Sequence, residues 1–363
     1  MAGEFPNTQP GTDACPPSFM DELTAALSAA PPQEAASADP VEWMVLTNGD
    51  SDPFDSVILF GFSEGRDPAF VAKVPRLPQN RRPLEVEYLS LKELWDRLGP
   101  AAQGCLPRPF ALVDIGGQPA LVISYIKGSS LLRASGRGFW QRQDRVRALM
   151  LEAARSLRTL NDRASAPLEA GEQLAPIFEQ RLAKFRELFS LTASEDAALS
   201  DLARTIEILS ARASRKVLVQ GDFWHGNLIR SSRTGSLVFI DWQFARWSVD
   251  VSIDVYLFLT AAAFTAAPYG TVGERAAGAS RVLSAWRADV IPAYLEAYGR
   301  PDHYALLPPR QGMLATCVEK AARPALDFGY SHPDDLMWRY LFAELVKWPE
   351  ESWLPAGGGG IPA

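Results

Sequence analysis

The feature that most constrains this chain is a change in the period of its apolar residues. From Val41 to about Leu132 they fall in short runs divided by turn residues, the signature of strands. From Gly138 onward they recur every three or four residues, the signature of helices. One island breaks the helical pattern: between Lys216 and Phe244 two short β-type runs, VLVQ and LVFID, bracket a loop. A strand pattern does not settle as a helix, nor the reverse. The order of periods therefore predicts a small β-rich part followed by a larger helical part with its own small hairpin. A length of 363 residues is too great for one compact core and short for three, which agrees with two lobes.

In the first part, 42–46, 57–62 and 69–74 read as strands, the last two joined by a tight Gly-containing turn at 64–68. Residues 84–98 (LEVEYLSLKELWDRL) have helical spacing, and 110–115 and 119–126 straddle Gly116-Gly117 as a second hairpin. Beyond them, 146–160, 174–189 and 195–213 read as helices, and the pattern resumes from Ile253 to Trp348. We therefore expect a β-rich lobe at 41–126 and a helical lobe at 127–355. Residues 1–40 and 356–363 read as tails. The first holds two Pro-Pro pairs and six acids but no lysine or arginine; the second is glycine-rich. Segment 19–27 is amphipathic enough to form a short helix and dock, yet the tail as a whole is expected to be dispensable for folding.

The apolar share, 47%, is enough for a sizeable core and excludes a disordered or fibrous chain. With six of its acids confined to the first tail, the rest of the chain is close to neutral and shows no basic stripe. That argues against a nucleic-acid partner. Cys15, Cys105 and Cys317 are far apart, matching neither a disulfide framework nor a metal-ligand spacing, and a reducing cytoplasmic location fits them best. Cys105 and Cys317 are expected to be buried as small apolar side chains. The most apolar run, 251–268, is interrupted by Asp254 and stops at a Pro-Tyr-Gly turn, so it reads as a buried helix rather than a membrane span. No signal peptide and no membrane partner are expected. Nothing points to an oligomeric state.

The chemistry concentrates in 217–229 (VLVQGDFWHGNLI). Asp222 and Asn227 lie five residues apart in a loop after a strand, and Asp241 ends the next strand beyond a turn at 233–235. One amide and two carboxylates on adjoining loops can converge on one or two Mg²⁺ ions, which take hard oxygen ligands and keep water. A carboxylate left over can accept a proton from a hydroxyl. Those are the parts that phosphoryl transfer needs.

The run Gln-Gly-Asp222-x-x-x-x-Asn227, followed by Ile-Asp241-Trp-Gln243, resembles the catalytic loop and metal aspartate of the aminoglycoside phosphotransferase and choline kinase superfamily. Its wording is nearest the ecdysteroid-kinase-like branch. The resemblance spans roughly 41–350. It implies an α+β, two-lobed protein-kinase-like fold, with a small antiparallel β lobe, a larger helical lobe, and ATP and Mg²⁺ as cofactors. It implies transfer of the γ-phosphate to a hydroxyl of a small-molecule acceptor: an aminoglycoside, an amino alcohol, a sugar or another alcohol. On this likeness Asp222 is the catalytic base, and Asn227 and Asp241 are the metal ligands. Lys73 binds the α/β-phosphates and Glu87 orients it, with Glu85 as the alternative. Ser124, Tyr125 and Ile126 form a hinge whose backbone holds adenine, and Asp254 is a structural aspartate at a helix start.

Three departures stand against the likeness. Gln220 replaces the usual histidine. The loop 47–56 (TNGDSDPFDS) carries three aspartates and one glycine, which is unfavourable near phosphates. The glycine expected between the metal and structural aspartates is missing. The alternative is a catalytically weak, pseudokinase-like nucleotide-binding or scaffold protein. Residues with plainer expected roles are His225, which shapes the loop, and Arg246, which touches phosphate or, the favoured reading, pairs with Asp250 or Asp254. Trp224, Trp242 and Trp247 are expected to pack the core.

Overall fold

The computed structural model describes residues 18–29, 41–46, 56–63, 67–134, 138–140, 142–169, 172, 177–301, 303–329 and 335–349. The acidic loop at 47–55, Cys15, the segment 350–363 and the start of the helix expected at 174 lie outside them. Chain contacts divide the protein into two compact units, one formed by 1–84 with 109–125 and the other by 85–108 with 126–363.

Among its described residues the first unit holds an antiparallel sheet packed with a helix. Its strands are β1 (Glu42–Leu46), β2 (Ser56–Phe62), β3 (Phe70–Pro75), β4 (Pro109–Ile115) and β5 (Gln118–Ser124), in the order β1-β2-β3-β5-β4. Gly116 and Gly117 both take positive φ in the β4–β5 turn, where Asp114 accepts the Gly117 N–H at 2.8 Å. Alternation along β3 puts Phe70, Ala72 and Val74 on one face, buried, and Val71 and Lys73 on the other.

The buried face is covered by α1 (Phe19–Ala29). Leu23 and Leu27 join Leu59, Phe70, Ala72, Val74, Ile115, Ala120 and Val122 in one core, and the Trp43 indole donates to the Thr24 hydroxyl at 3.1 Å. This corrects the expectation of a dispensable tail for residues 19–29. Two fully buried leucines contribute about 1.5–3 kcal/mol each, more than an amphipathic pattern read without its partner face suggests.

The second unit takes up α2 (Arg81–Leu98) from Glu85 onward. It then comprises β6 (Gly128–Ser130), α3 (Leu131–Ala134), α4 (Gln143–Ala164), β7 (Ala166–Pro167), α5 (Ile177–Leu188), α6 (Ala193–Ser210), β8 (Arg215–Val219), β9 (Leu228–Ser231), β10 (Leu237–Phe239), β11 (Arg246–Ser248), α7 (Ser252–Ala266), α8 (Val272–Trp286), α9 (Val290–Tyr298), α10 (Pro309–Asp327) and α11 (Asp335–Val346). The strands make two small sheets, β10-β9-β6 and β11-β8-β7, and so aim the loops between β8 and α7. Helix α7 is buried from Ser252 to Phe264, apolar on every side, which is the form a central core helix takes. Among the described residues no helix is long and apolar enough to cross a membrane. The molecule is thus an α+β protein with an antiparallel five-stranded part and a helical part.

Candidate active site

The loop from β8 to β9 is held from below by an aromatic stack. Phe223 is fully buried, its ring 5.4 Å from Phe239 and 5.1 Å from Phe258. Burying Phe223 leaves its neighbour Asp222 at the edge of the core. Asn227 closes the loop: its Nδ2 donates to the Asp222 carbonyl at 2.9 Å and to Asp222 Oδ2 at 3.0 Å. The Ile240 N–H donates to the Asn227 carbonyl at 3.0 Å, which ties the strand end bearing Asp241 to the same loop. Asp241 has φ 65, the one positive value outside glycine among the described residues. A non-glycine residue held there costs about 1–3 kcal/mol, and such strain collects at functional sites. The spacing read from the sequence therefore does bring Asp222, Asn227 and the Asp241 loop together.

What the sequence reading missed is the other side of Asp222. Its Oδ1 accepts from Lys320 Nζ at 2.7 Å and from Arg323 Nη2 at 3.1 Å, both on α10. Burial alone would raise this carboxyl. The charges of Lys320 and Arg323 outweigh burial and hold it down at about 2. Arg323 is fixed on three sides: it also donates to the Gly221 carbonyl at 2.7 Å, and its guanidinium lies 3.7 Å from the centroid of the Phe244 ring. Beside them Glu319, also buried, is paired with Arg246 at 3.3 Å and Arg181 at 3.4 Å. Its acid is pushed up by burial and brought down further by those arginines. Arg246 thus pairs with Glu319, not with Asp250 or Asp254 as expected. Glu319 lies 73 residues away along the chain, beyond the reach of local spacing. The one sequence signal was a Glu-Lys-x-x-Arg group at 319–323 inside an otherwise apolar helix.

Asp254, near the start of α7, accepts the backbone N–H of Gln220 at 2.7 Å and of Gly221 at 2.8 Å, and burial pushes its carboxyl up to about 6. It is the structural aspartate expected. Gln220 bonds backbone in place of histidine, its amide donating to the Ile240 carbonyl. His225 is buried, its Nε2 at 3.0 Å from the Thr265 hydroxyl and its ring packed on Trp140 and Trp224. Burial lowers it to about 4, so it shapes the loop as a neutral ring. Trp242 is buried, whereas Trp247 is half-buried beneath Arg97 and Lys216. Cys317 is buried; Cys105 is only partly so, because it borders a surface cavity of about 380 Å³.

Of the remaining residues, Lys73 lies on β3 in the first unit, and Glu87 is fully buried on α2 in the second, with Leu91 and Leu94 on the same buried side. Glu85 is half-buried. The chain passes from the first unit to the second between Tyr125 and Ile126. Ser124 ends β5, and the Tyr125 N–H donates to the Ala69 carbonyl at 2.9 Å.

The donor set fits a hard divalent cation. Asn227 spends its amide N–H groups on Asp222, so its side-chain oxygen is the atom it could offer a cation, while Asp241 on the adjoining loop supplies a carboxylate whose Oδ2 accepts from the Gln243 amide at 3.3 Å. Among the described residues there is no group of three or more His, Cys, Asp or Glu that could hold a metal by itself. Magnesium needs no such cage, since one or two carboxylates with substrate phosphates and water suffice.

A family model described as the phosphotransferase enzyme family matches residues 55–307. None of the curated proteins matches the sequence. Among solved structures, a choline/ethanolamine kinase family protein from Mesorhizobium loti is similar over 93% of this chain and 97% of its own, at 15% identity and a TM-score of 0.50. Aminoglycoside phosphotransferase APH(3'')-Id from Streptomyces rimosus is similar over 84% and 92%, at 17% identity and a TM-score of 0.42. The first likeness is one of fold.

Proposed function

This chain belongs to the phosphotransferase enzyme family, and from that premise we propose that it transfers the γ-phosphoryl group of ATP to a hydroxyl of a small molecule with the help of Mg²⁺. The observation that carries this reading is the closed loop in which Asn227 grips Asp222 while its backbone carbonyl holds the strand leading to Asp241. When bound, nucleotide and magnesium supply the phosphoryl group and neutralise its developing charge. The chain's own part is positioning. Asn227 and Asp241 would hold the metal, Lys73 would steady the phosphates with Glu87 as the carboxylate proposed to orient it, and the backbone at Ser124, Tyr125 and Ile126 would receive the base. Asp222, held ionised by Lys320 and Arg323, is a weak proton acceptor. Its role is to orient the hydroxyl for a loose transition state that demands little deprotonation. The nearness to the ecdysteroid-kinase-like branch rests on the Gly-Asp-Phe-Trp and Asp-Trp-Gln wording alone. One observation favours a second reading, a nucleotide-binding protein with little turnover: Oδ1 of Asp222 is taken by two cations.

Calorimetry with ATP at several Mg²⁺ concentrations, and ADP release with a panel of alcohols, test the proposal. Asp222→Asn keeps ATP-Mg²⁺ binding and loses turnover about a hundredfold, the cost of a hydroxyl no longer held in line. Asp241→Asn weakens metal-dependent binding, and added Mg²⁺ partly restores it. A parent protein that binds nucleotide but phosphorylates nothing supports the second reading. Variants that both behave like the parent refute the first.

A further inference from the structure

We infer that the acceptor carries an acidic group, and that Lys320 is the side chain that receives it. The inference rests on the reading above and narrows it from small-molecule alcohols to alcohols that bear a carboxylate or phosphate near the reacting hydroxyl.

The argument is one of charge around Asp222. An alcohol bearing an ammonium group needs an acidic partner close to its hydroxyl. Among the described residues, the two acids of α10 are already paired. Glu319 sits between Arg181 and Arg246, and Asp327 accepts both of its bonds from Arg181 Nη2 at 2.9 Å. Asp222 itself is covered on Oδ1 by two cations. A cationic acceptor beside Asp222 also lies close to Lys320 and Arg323, and like charges repel most where water is scarce.

The two cations are not equivalent. Arg323 has a side chain 7% exposed, bonded to Gly221 and Asp222 and stacked on Phe244, so it is part of the frame. The Lys320 side chain is 19% exposed, and its hydrogen bond to Asp222 uses one of three ammonium donors. Lys320 is therefore the cation open to a ligand. An acidic group on the acceptor takes the remaining donors of Lys320. In that position its hydroxyl is carried to the Asp222 carboxylate, which Arg323 continues to hold. Lysine suits this task because a compact charge on a flexible stem can be shared between two anions.

The experiment is a phosphorylation screen by ADP release over matched alcohols that differ in charge: glucose, glucosamine, glucuronate and glucose 6-phosphate, with glycerol, ethanolamine, choline, glycerate and glycerol 3-phosphate. Parent, Lys320→Gln and Lys320→Arg proteins are compared after thermal melts establish that each is folded. The accepted compounds are expected to be acidic, and the carboxylate and phosphate arms show which acid is read. Lys320→Gln raises KM for them at least about tenfold with a smaller change in kcat, and Lys320→Arg stays within about threefold of the parent. A parent that binds ATP and phosphorylates glucosamine, ethanolamine or choline in preference to the acids overturns the inference and leaves the phosphotransferase reading standing. So does a Lys320→Gln variant whose KM for an accepted acid is unchanged. A parent that neither binds ATP nor phosphorylates any compound overturns both.

Discussion

Two aspartates of the helical unit, Asp222 on the β8–β9 loop and Asp254 at the start of α7, are almost equally buried and are pushed in opposite directions. Asp254 takes its hydrogen bonds from neutral donors, the N–H groups of Gln220 and Gly221, and burial outweighs them and the more distant Arg246 charge to lift it to about 6. Asp222 faces Lys320 and Arg323 and falls to about 2. Burial therefore does not decide what a carboxylate is for; the charge of its partners does. Neutral amides make an anchor, as Asp254 is for the loop. Paired cations make a carboxylate that stays ionised at the edge of solvent, as the hydroxyl-orienting role proposed for Asp222 requires. Gly221 joins the two, its N–H bonded to Asp254 and its carbonyl to Arg323.

The strongest way to break this contrast is to remove the cation that frames it. Arg323→Ala leaves Asp222 with one partner and the Gly221 carbonyl with none from that side chain. We expect about 3–5 kcal/mol of lost stability, read by chemical denaturation, because a buried guanidinium that bonds Asp222 and the Gly221 carbonyl and stacks on Phe244 is lost with all three contacts. A smaller blow falls on the joint. Gly221 has φ 77, and a Cβ there would lie 2.5 Å from the Phe244 carbonyl oxygen. Gly221→Ala is expected to cost about 3 kcal/mol by the same measurement, from left-handed strain plus a backbone shift.

The pH dependence sharpens the comparison without any mutation. Asp254 has a folded value raised from 3.8 to about 6, so its contribution is fully present below 3.8 and is lost as pH rises through 6. Asp222 is lowered, so its contribution is present above 3.8 and is lost as pH falls towards 2. Between pH 4 and 6 Asp222 adds only about 0.3 kcal/mol, of opposite sign and near pH 4, whereas the fall in stability attributable to Asp254 is about 2 kcal/mol. Asp254→Asn should flatten that segment of the denaturation-versus-pH curve, and Asp222→Asn should leave it in place. The smallest effect is expected from Lys320→Gln. Its ammonium is partly hydrated, so the stability lost is about 1 kcal/mol, well below that of Arg323→Ala.

Local spacing is what made one side of this site legible. Asp222 and Asn227 belong to one loop and Asp241 to the next strand, so a sequence window holds all three. The strands and helices were legible for the same reason, since hydrophobic period is a local property. Lys320 and Arg323 reach Asp222 across about a hundred residues, separations of 98 and 101, and only the packing of α10 brings them there. The partner of Arg246 was hidden in the same way. Helix α1 was visible as an amphipathic piece, but its contribution depends on the sheet face formed by Phe70, Ala72 and Val74, which no pattern in residues 19–27 announces. The positive φ of Asp241 had no sequence signal, because aspartate takes that conformation only where its surroundings impose it.

The most direct measurement of the central claim is a carbon-13 NMR titration of the aspartate carboxyl carbons, with the two resonances assigned by their loss in Asp222→Asn and Asp254→Asn. The Asp222 signal should stay that of an ionised carboxylate from pH 4 to 8, while the Asp254 signal titrates with a midpoint near 6. Two signals that titrate together above pH 4 would show that α10 does not hold Asp222 ionised, and the distinction between a cation-held and an amide-held aspartate would fall.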